Sequence, residues 1–146
     1  MAETQKASIG WGGEFWMHDG TALKELVQVV SFTLPQDEID DVETTHLKSP
    51  DRRREFIAGM RDGGEISVVM NYRPLSDTDE LCRDAMAEGD VRPIRFVIPQ
   101  GGVAAAQVDT TGYVRGYDRG EVTADGKMEA TLTIKISGAE TQVAAD

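Results

Sequence analysis

Acidic side chains crowd one short stretch: Asp37, Glu38, Asp40, Asp41 and Glu43 place five carboxylates within seven residues, with no base among them. Carboxylates at this density could collect a calcium ion, which takes its ligands from acidic side chains and carbonyls. The run lacks the regular loop of a dedicated calcium site, so it reads as a solvated acidic loop, or as a loop that docks on a neighbour's basic patch. A basic knot follows, Asp51-Arg52-Arg53-Arg54-Glu55, with Gly59, Gly63 and Gly64 beyond it. Arginines beside glycines could hold an anion. A phosphate cradle, however, sets its glycines at the opening of a helix, whereas these follow the arginines and open a strand. The knot therefore reads as a solvated turn or as a contact surface.

The remaining reactive residue types form no constellation. His18 and His46 have no further ligand at metal spacing, and no Gly-x-Ser-x-Gly, His-Glu-x-x-His or phosphate-binding glycine loop occurs. Cys82, the single cysteine, excludes an intramolecular disulfide and reads as a small buried hydrophobe. Tyr113 and Tyr117 read as packing residues on one strand face, because the basic residues that accompany base-stacking aromatics are missing. No catalytic residue, cofactor or metal is expected. With 26 acidic against 15 basic residues the formal charge is −11, which disfavours adhesion to phosphate backbones or anionic membranes. The N-terminus lacks a basic start before an apolar run, and no segment nears the ~20 apolar residues of a membrane helix. A reducing, cytoplasmic birthplace fits.

These residues hang on a chain of 146 residues, enough for one domain with a real core. Residues 1–13 are expected as a flexible arm whose Trp11 is either a docking anchor or tucked against its own domain. Residues 14–138 form the domain, and 139–146 a flexible tail. Glu14–His18 is a short strand and Asp19-Gly20 a turn. Leu23–Leu34 is one longer strand with Leu26, Gln28, Val30, Phe32 and Leu34 toward the core. After the acidic and basic stretches, Asp62-Gly63-Gly64 turns into a strand over Glu65–Tyr72. Ser76 then caps a helix over Asp77–Glu88, with Asp79 completing a capping-box-like pair and Gly89 ending it. Pro93–Ile98 and Val103–Val108 form a hairpin, Gly112–Asp118 is a further strand, and Met128–Ser137 closes the set. Its Met128, Ala130, Leu132, Ile134 and Ile136 share one face. The fold is mainly β: an antiparallel sandwich or partly closed barrel with one helix.

The order Glu-Ile-Asp, then Thr…Leu-x-Ser-Pro, then Glu-Phe-Ile-x-Gly-x-x-Asp-Gly-Gly, then a strand ending Asn-Tyr-x-Pro, resembles the tail tube proteins of long-tailed, siphovirus-like bacteriophages. The resemblance covers about a quarter of the chain, from Glu38 to Tyr72. It implies a β-sandwich subunit, six of which form a ring with a continuous barrel around a channel, and rings that stack into a tube. It also implies no reaction, assembly in the host cytoplasm, and residence in the virion tail. Partners would be other copies of the chain and the tail proteins at the tube ends. DNA would pass through the lumen without specific binding, and no membrane would be bound. On that reading Asp37, Glu38, Asp40, Asp41, Glu43, Arg52, Arg53, Arg54 and Trp11 serve contacts between rings. Asp109 and Glu129, on polar strand faces, line an acidic lumen. The run Arg52-Arg53-Arg54 is more basic than the family pattern leads one to expect. The tube of a contractile secretion system shares the architecture, and a small β-barrel enzyme or ligand binder is the alternative of a different class; it would need a pocket of convergent polar groups.

Overall fold

The computed structural model describes residues 9–145, so residues 1–8 of the expected N-terminal arm lie outside the described residues. In chain order the elements are β1 (Glu14–His18), β2 (Leu23–Glu25), β3 (Val29–Phe32), β4 (Glu38–Glu43), β5 (Phe56–Asp62), β6 (Glu65–Asn71), α1 (Asp77–Glu88), β7 (Arg92–Gln100), β8 (Val103–Asp118), β9 (Glu129–Ile136) and β10 (Thr141–Ala144). The main sheet is antiparallel in the order β2-β1-β7-β8-β9-β6-β3, with β10 added to β8. Its two end strands, β2 and β3, are consecutive in the chain, so the sheet curls until its edges approach. This is the partly closed barrel that the strand count implied.

Alternation fixes which face is inside. In β9 every second residue is buried, Ala130, Leu132, Ile134 and Ile136, and its partner β6 answers with Ile66, Val68 and Met70. Phe15 and Met17 of β1 and Ile94 and Phe96 of β7 complete the core, with the Phe15 and Phe96 rings edge to face at 5.1 Å. Phe96 packs on Phe32 as well, its ring centroid 5.4 Å away.

The helix has the limits its caps set. Ser76 Oγ accepts from the Asp79 amide at 3.2 Å, and Gly89 ends the helix at φ 63°. Asp79 does more than cap. It is 3% exposed, accepts from the Leu75 amide at 3.2 Å and from the Tyr117 hydroxyl at 2.8 Å, and lies 3.4 Å from Arg83 Nε. Thus the first turn of α1 is bolted to the far end of β8. Cys82 and Ala85 sit beneath it in the core, and burial with the Asp79 carboxylate nearby pushes the Cys82 thiol up to about 12.

Five expectations are corrected. Leu23–Leu34 is two strands, because Leu26 turns into the core while Gln28 adopts φ 63° and bonds Asn71 through backbone and side chain. Gln28 points outward at that left-handed turn, and a register shift after Val29 leaves Val30 and Leu34 exposed as well rather than facing the core, where Phe32 alone of that later set packs. The strands expected at 103–108 and 112–118 are one continuous β8 of 16 residues. A shift between Val114 and Gly116 separates the tyrosines: Tyr113 pairs with Lys135 on the outer face and Tyr117 with Leu132 on the core face. Finally, where a polar tail was expected, Thr141–Ala144 is β10, held to Ala106–Asp109 of β8. Just before it, Thr110 Oγ1 donates to the Ala139 carbonyl and Thr111 Oγ1 to that of Ser137.

Two expected outcomes follow from this core. Tyr117→Phe leaves the buried Asp79 short of a donor and costs about 1–3 kcal/mol, read as a lower urea midpoint with unchanged slope. Cys82 stays unlabelled by a thiol reagent at pH 8 in the folded protein and reacts fully after denaturation; fast labelling of the native chain would contradict its burial.

Candidate functional site: an exposed ribbon and its surroundings

Leaving β3, the chain builds a second, separate sheet of only two strands, β4 and β5. The acidic run is therefore a strand and not a loop. Apolar Ile39 and Val42 set among the acids, with Phe56-Ile57 beyond, were the sequence signal for it; the polar twelve residues 44–55 between them concealed the pairing. Pairs run from Glu38 with Asp62 at the root to Glu43 with Phe56 at the far end, with a shift between Ile39 and Asp41.

Root and tip are tightly organised. At the root the Gly64 amide donates to Asp62 Oδ1 at 2.8 Å and Lys135 Nζ approaches the same oxygen at 3.3 Å, which holds the Asp62 carboxyl below the usual aspartate range. Gly63 has no room for a side chain there, since a Cβ would stand 2.6 Å from Ile136 Cγ2. At the tip Glu55 gathers the loop: its amide donates to Thr45 Oγ1 at 2.8 Å, its carboxylate accepts from Ser49 Oγ at 2.8 Å, and His46 Nε2 lies 3.5 Å from it. A short 3-10 turn over Pro50–Arg52 reverses the chain, with Asp51 and Arg52 at φ 56° and 58°. Non-glycine residues rarely hold this left-handed backbone, so the tip is a specified shape.

The structure places every residue singled out above. Asp37 immediately precedes the ribbon; Glu38, Asp40, Asp41 and Glu43 lie along β4; Arg52, Arg53 and Arg54 sit at the tip. All eight are exposed. Among the described residues, none of the three arginines forms an ion pair, and no cluster of three or more metal-ligating side chains occurs. The acids and arginines thus share one projecting element, while Trp11 lies elsewhere, its ring 3.1 Å from where Gly102 would carry a Cβ at the β7–β8 turn. Asp109 is on the outer face of β8, where Arg95 Nε donates to it at 2.7 Å and Gln107 Nε2 at 3.0 Å. Glu129 opens β9 with Lys127 Nζ at 3.8 Å. Each proposed lumen acid therefore has a cation beside it.

Reading the residues alone missed the ribbon's apolar content. Ile39, Val42, Phe56, Ile57 and Met60 are all exposed, as is Leu47 at the tip. Val42 and Ile57 face each other directly across the ribbon, and Gly59 lies under Val42, whose Cγ2 would be 2.9 Å from an added Cβ. A two-stranded ribbon is marginal alone in water, and one that also displays this much apolar surface is built to be covered. No catalytic geometry accompanies it. What the arrangement can do chemically is bind another surface.

Solved structures share this architecture. A tail of an empty gene transfer agent particle, refined with C6 symmetry, matches with a TM-score of 0.73 at 21% identity, covering 92% of this chain and 98% of that one. The sheath–tube complex of an extracellular contractile injection system, PVC, matches at 0.72 and 9% identity over 97% and 94%. The SPP1 tail tube matches at 0.68 and 9% identity over 95% and 80%. These likenesses establish the fold. No curated protein matches the chain significantly in sequence. The family described as "Lambda phage tail tube protein, TTP" matches residues 17–143, taking in every strand of the main sheet apart from the first residues of β1 and the last of β10, together with the helix and the whole ribbon. The chain belongs to the lambda phage tail tube protein family.

Proposed function

We propose that this chain is the repeating subunit of the tail tube of a phage or phage-like particle. Copies close into hexameric rings through their sheet edges, rings stack through the β4–β5 ribbon, and the lumen conducts DNA during ejection. The observation that carries the reading is the ribbon: its strands are exposed along their length, apolar in part, and specified at both root and tip. Its support beyond this chain is the family, together with the sixfold symmetry in the description of the gene transfer agent tail. A contact between two different surfaces of identical subunits propagates where its rotation does not close a ring, which is what stacking requires. The PVC likeness keeps a contractile injection system as a second reading, separated from the first by whether a sheath surrounds the tube in the native particle. The direct test is an image of the purified protein in negative stain. Rings or tubes of uniform width support the reading, and a monodisperse monomer at high concentration overturns it.

Charge gives the stack its direction. The arginines at the tip meet acids such as Asp40, Asp41 and Glu43 of an adjacent copy, each exposed pair contributing only about 0.2–1 kcal/mol but repeating around the ring. Replacing Arg52, Arg53 and Arg54 by Glu slows tube growth and leaves the fold intact, and high salt slows wild-type growth in the same direction. Tubes of the triple variant that grow as fast as wild type at low salt would make the tip a solvated turn. For the lumen, Glu129 and Asp109 are wall residues that repel passing phosphates, with Arg95 already neutralising part of Asp109. Glu129→Lys slows DNA ejection from assembled particles; unchanged ejection kinetics remove Glu129 from the wall.

A further inference from the structure

One groove on the body matches the ribbon in character. It lies between the segment Gly10–Gly13 and β3 beside the end of β7, encloses about 640 Å³, and is lined by Trp11, Val30, Phe32, Leu34, Ile98 and Pro99 with no charged side chain. For a chain whose residues are 28% charged, that is a selective surface. Trp11 is its outer wall, 73% exposed, standing on the Gly101-Gly102 turn. Gly12 and Gly13 bring this wall close, as a Cβ at Gly12 would be 3.4 Å from the Gly102 carbonyl and one at Gly13 would be 3.3 Å from the Phe32 ring.

We infer that this groove receives the Val42–Ile57 face of the ribbon from a second copy of the chain, an inference that rests on the tube reading above. The two ribbon faces differ. On one, Phe56 stands opposite Glu43, Ala58 opposite Asp41, and Ile39 opposite Arg61; on the other, Val42 stands opposite Ile57, with Asp40 beside them and Glu38 opposite Asp62 at the root. Only the second offers an all-apolar pair, and Gly59 beside it leaves that face flat enough to enter a groove. The pair lies about 13 Å beyond the root by strand geometry and is uncovered in its own subunit. Every subunit carries both the ribbon and the groove, and the two surfaces are different, so one contact per subunit repeats along the tube as long as its rotation does not close a ring. Apolar contact supplies affinity here, while the arginine tip, further along the ribbon, sets approach and direction.

Cysteine trapping tests this, because the native Cys82 is buried and does not compete. Ile57→Cys and Val30→Cys are made in separate chains, mixed, assembled and mildly oxidised, with Val143→Cys on β10 as an exposed control. The expected result is a disulfide-linked dimer joining the Ile57→Cys chain to the Val30→Cys chain, and none joining Ile57→Cys to Val143→Cys. A chain carrying both Ile57→Cys and Val30→Cys should give a ladder of covalent oligomers. Tubes that form normally yet give no such dimer, or that link Ile57→Cys to itself, overturn the inference and leave the tube reading standing. Failure of the wild-type protein to assemble overturns both.

Discussion

The body of this subunit depends on one long strand being paired along both edges. β8 takes β7 along Val103–Gly112, β10 along Ala106–Asp109 and β9 along Gly112–Asp118, while its Tyr117 holds the helix through Asp79. A strand of 16 residues would twist away from a flat sheet; the shift between Val114 and Gly116 bends it, so that one strand serves both halves of the curled sheet. Gly112 stands where the halves meet, and a Cβ there would come within 2.6 Å of the Lys135 carbonyl. Close approach of β9 at this point is what lets the chain continue straight into β10.

Against this self-sufficient body stands the ribbon, which has almost nothing of its own to lean on. Its strands are bonded to each other and exposed on both faces, yet its root is fixed by Asp62, Gly64 and Lys135 and its tip by Glu55. The division suits a subunit whose core folds before assembly and whose projecting arm gains its last contacts from another molecule. Surface that is a liability in a monomer becomes the specificity of a polymer.

The same division decides what could be read from the sequence. Helix α1 was legible to the residue, since Ser76, Asp79 and Gly89 act within a few positions of one another. β9 was legible to within one residue at each end, since its alternation reports a face buried against its own chain. The break at Gln28 was not, because its left-handed backbone is stabilised by Asn71, 43 residues away. β10 was hidden because small polar residues carry no burial signal when a strand is fastened mainly by backbone bonds to β8. The ribbon was legible in charge but not in form: its acids and arginines stood out, while its apolar residues, Val42 opposite Ile57 among them, are exposed and so leave no pattern of burial. Family resemblance in Glu38–Tyr72 located the element, and the structure supplied its shape.

The central claim is that the ribbon is completed by another copy, and hydrogen exchange tests it most directly. Amides of β4 and β5 are compared in dissociated subunits and in assembled protein, with β9 as an internal reference whose protection comes from the body alone. The account predicts that assembly slows exchange across Ile39–Val42 and Ile57–Arg61 at least tenfold, corresponding to about 1.4 kcal/mol, and leaves β9 unchanged. Equal exchange of the ribbon in both states would mean that the ribbon stays bare in the tube, and would contradict the account.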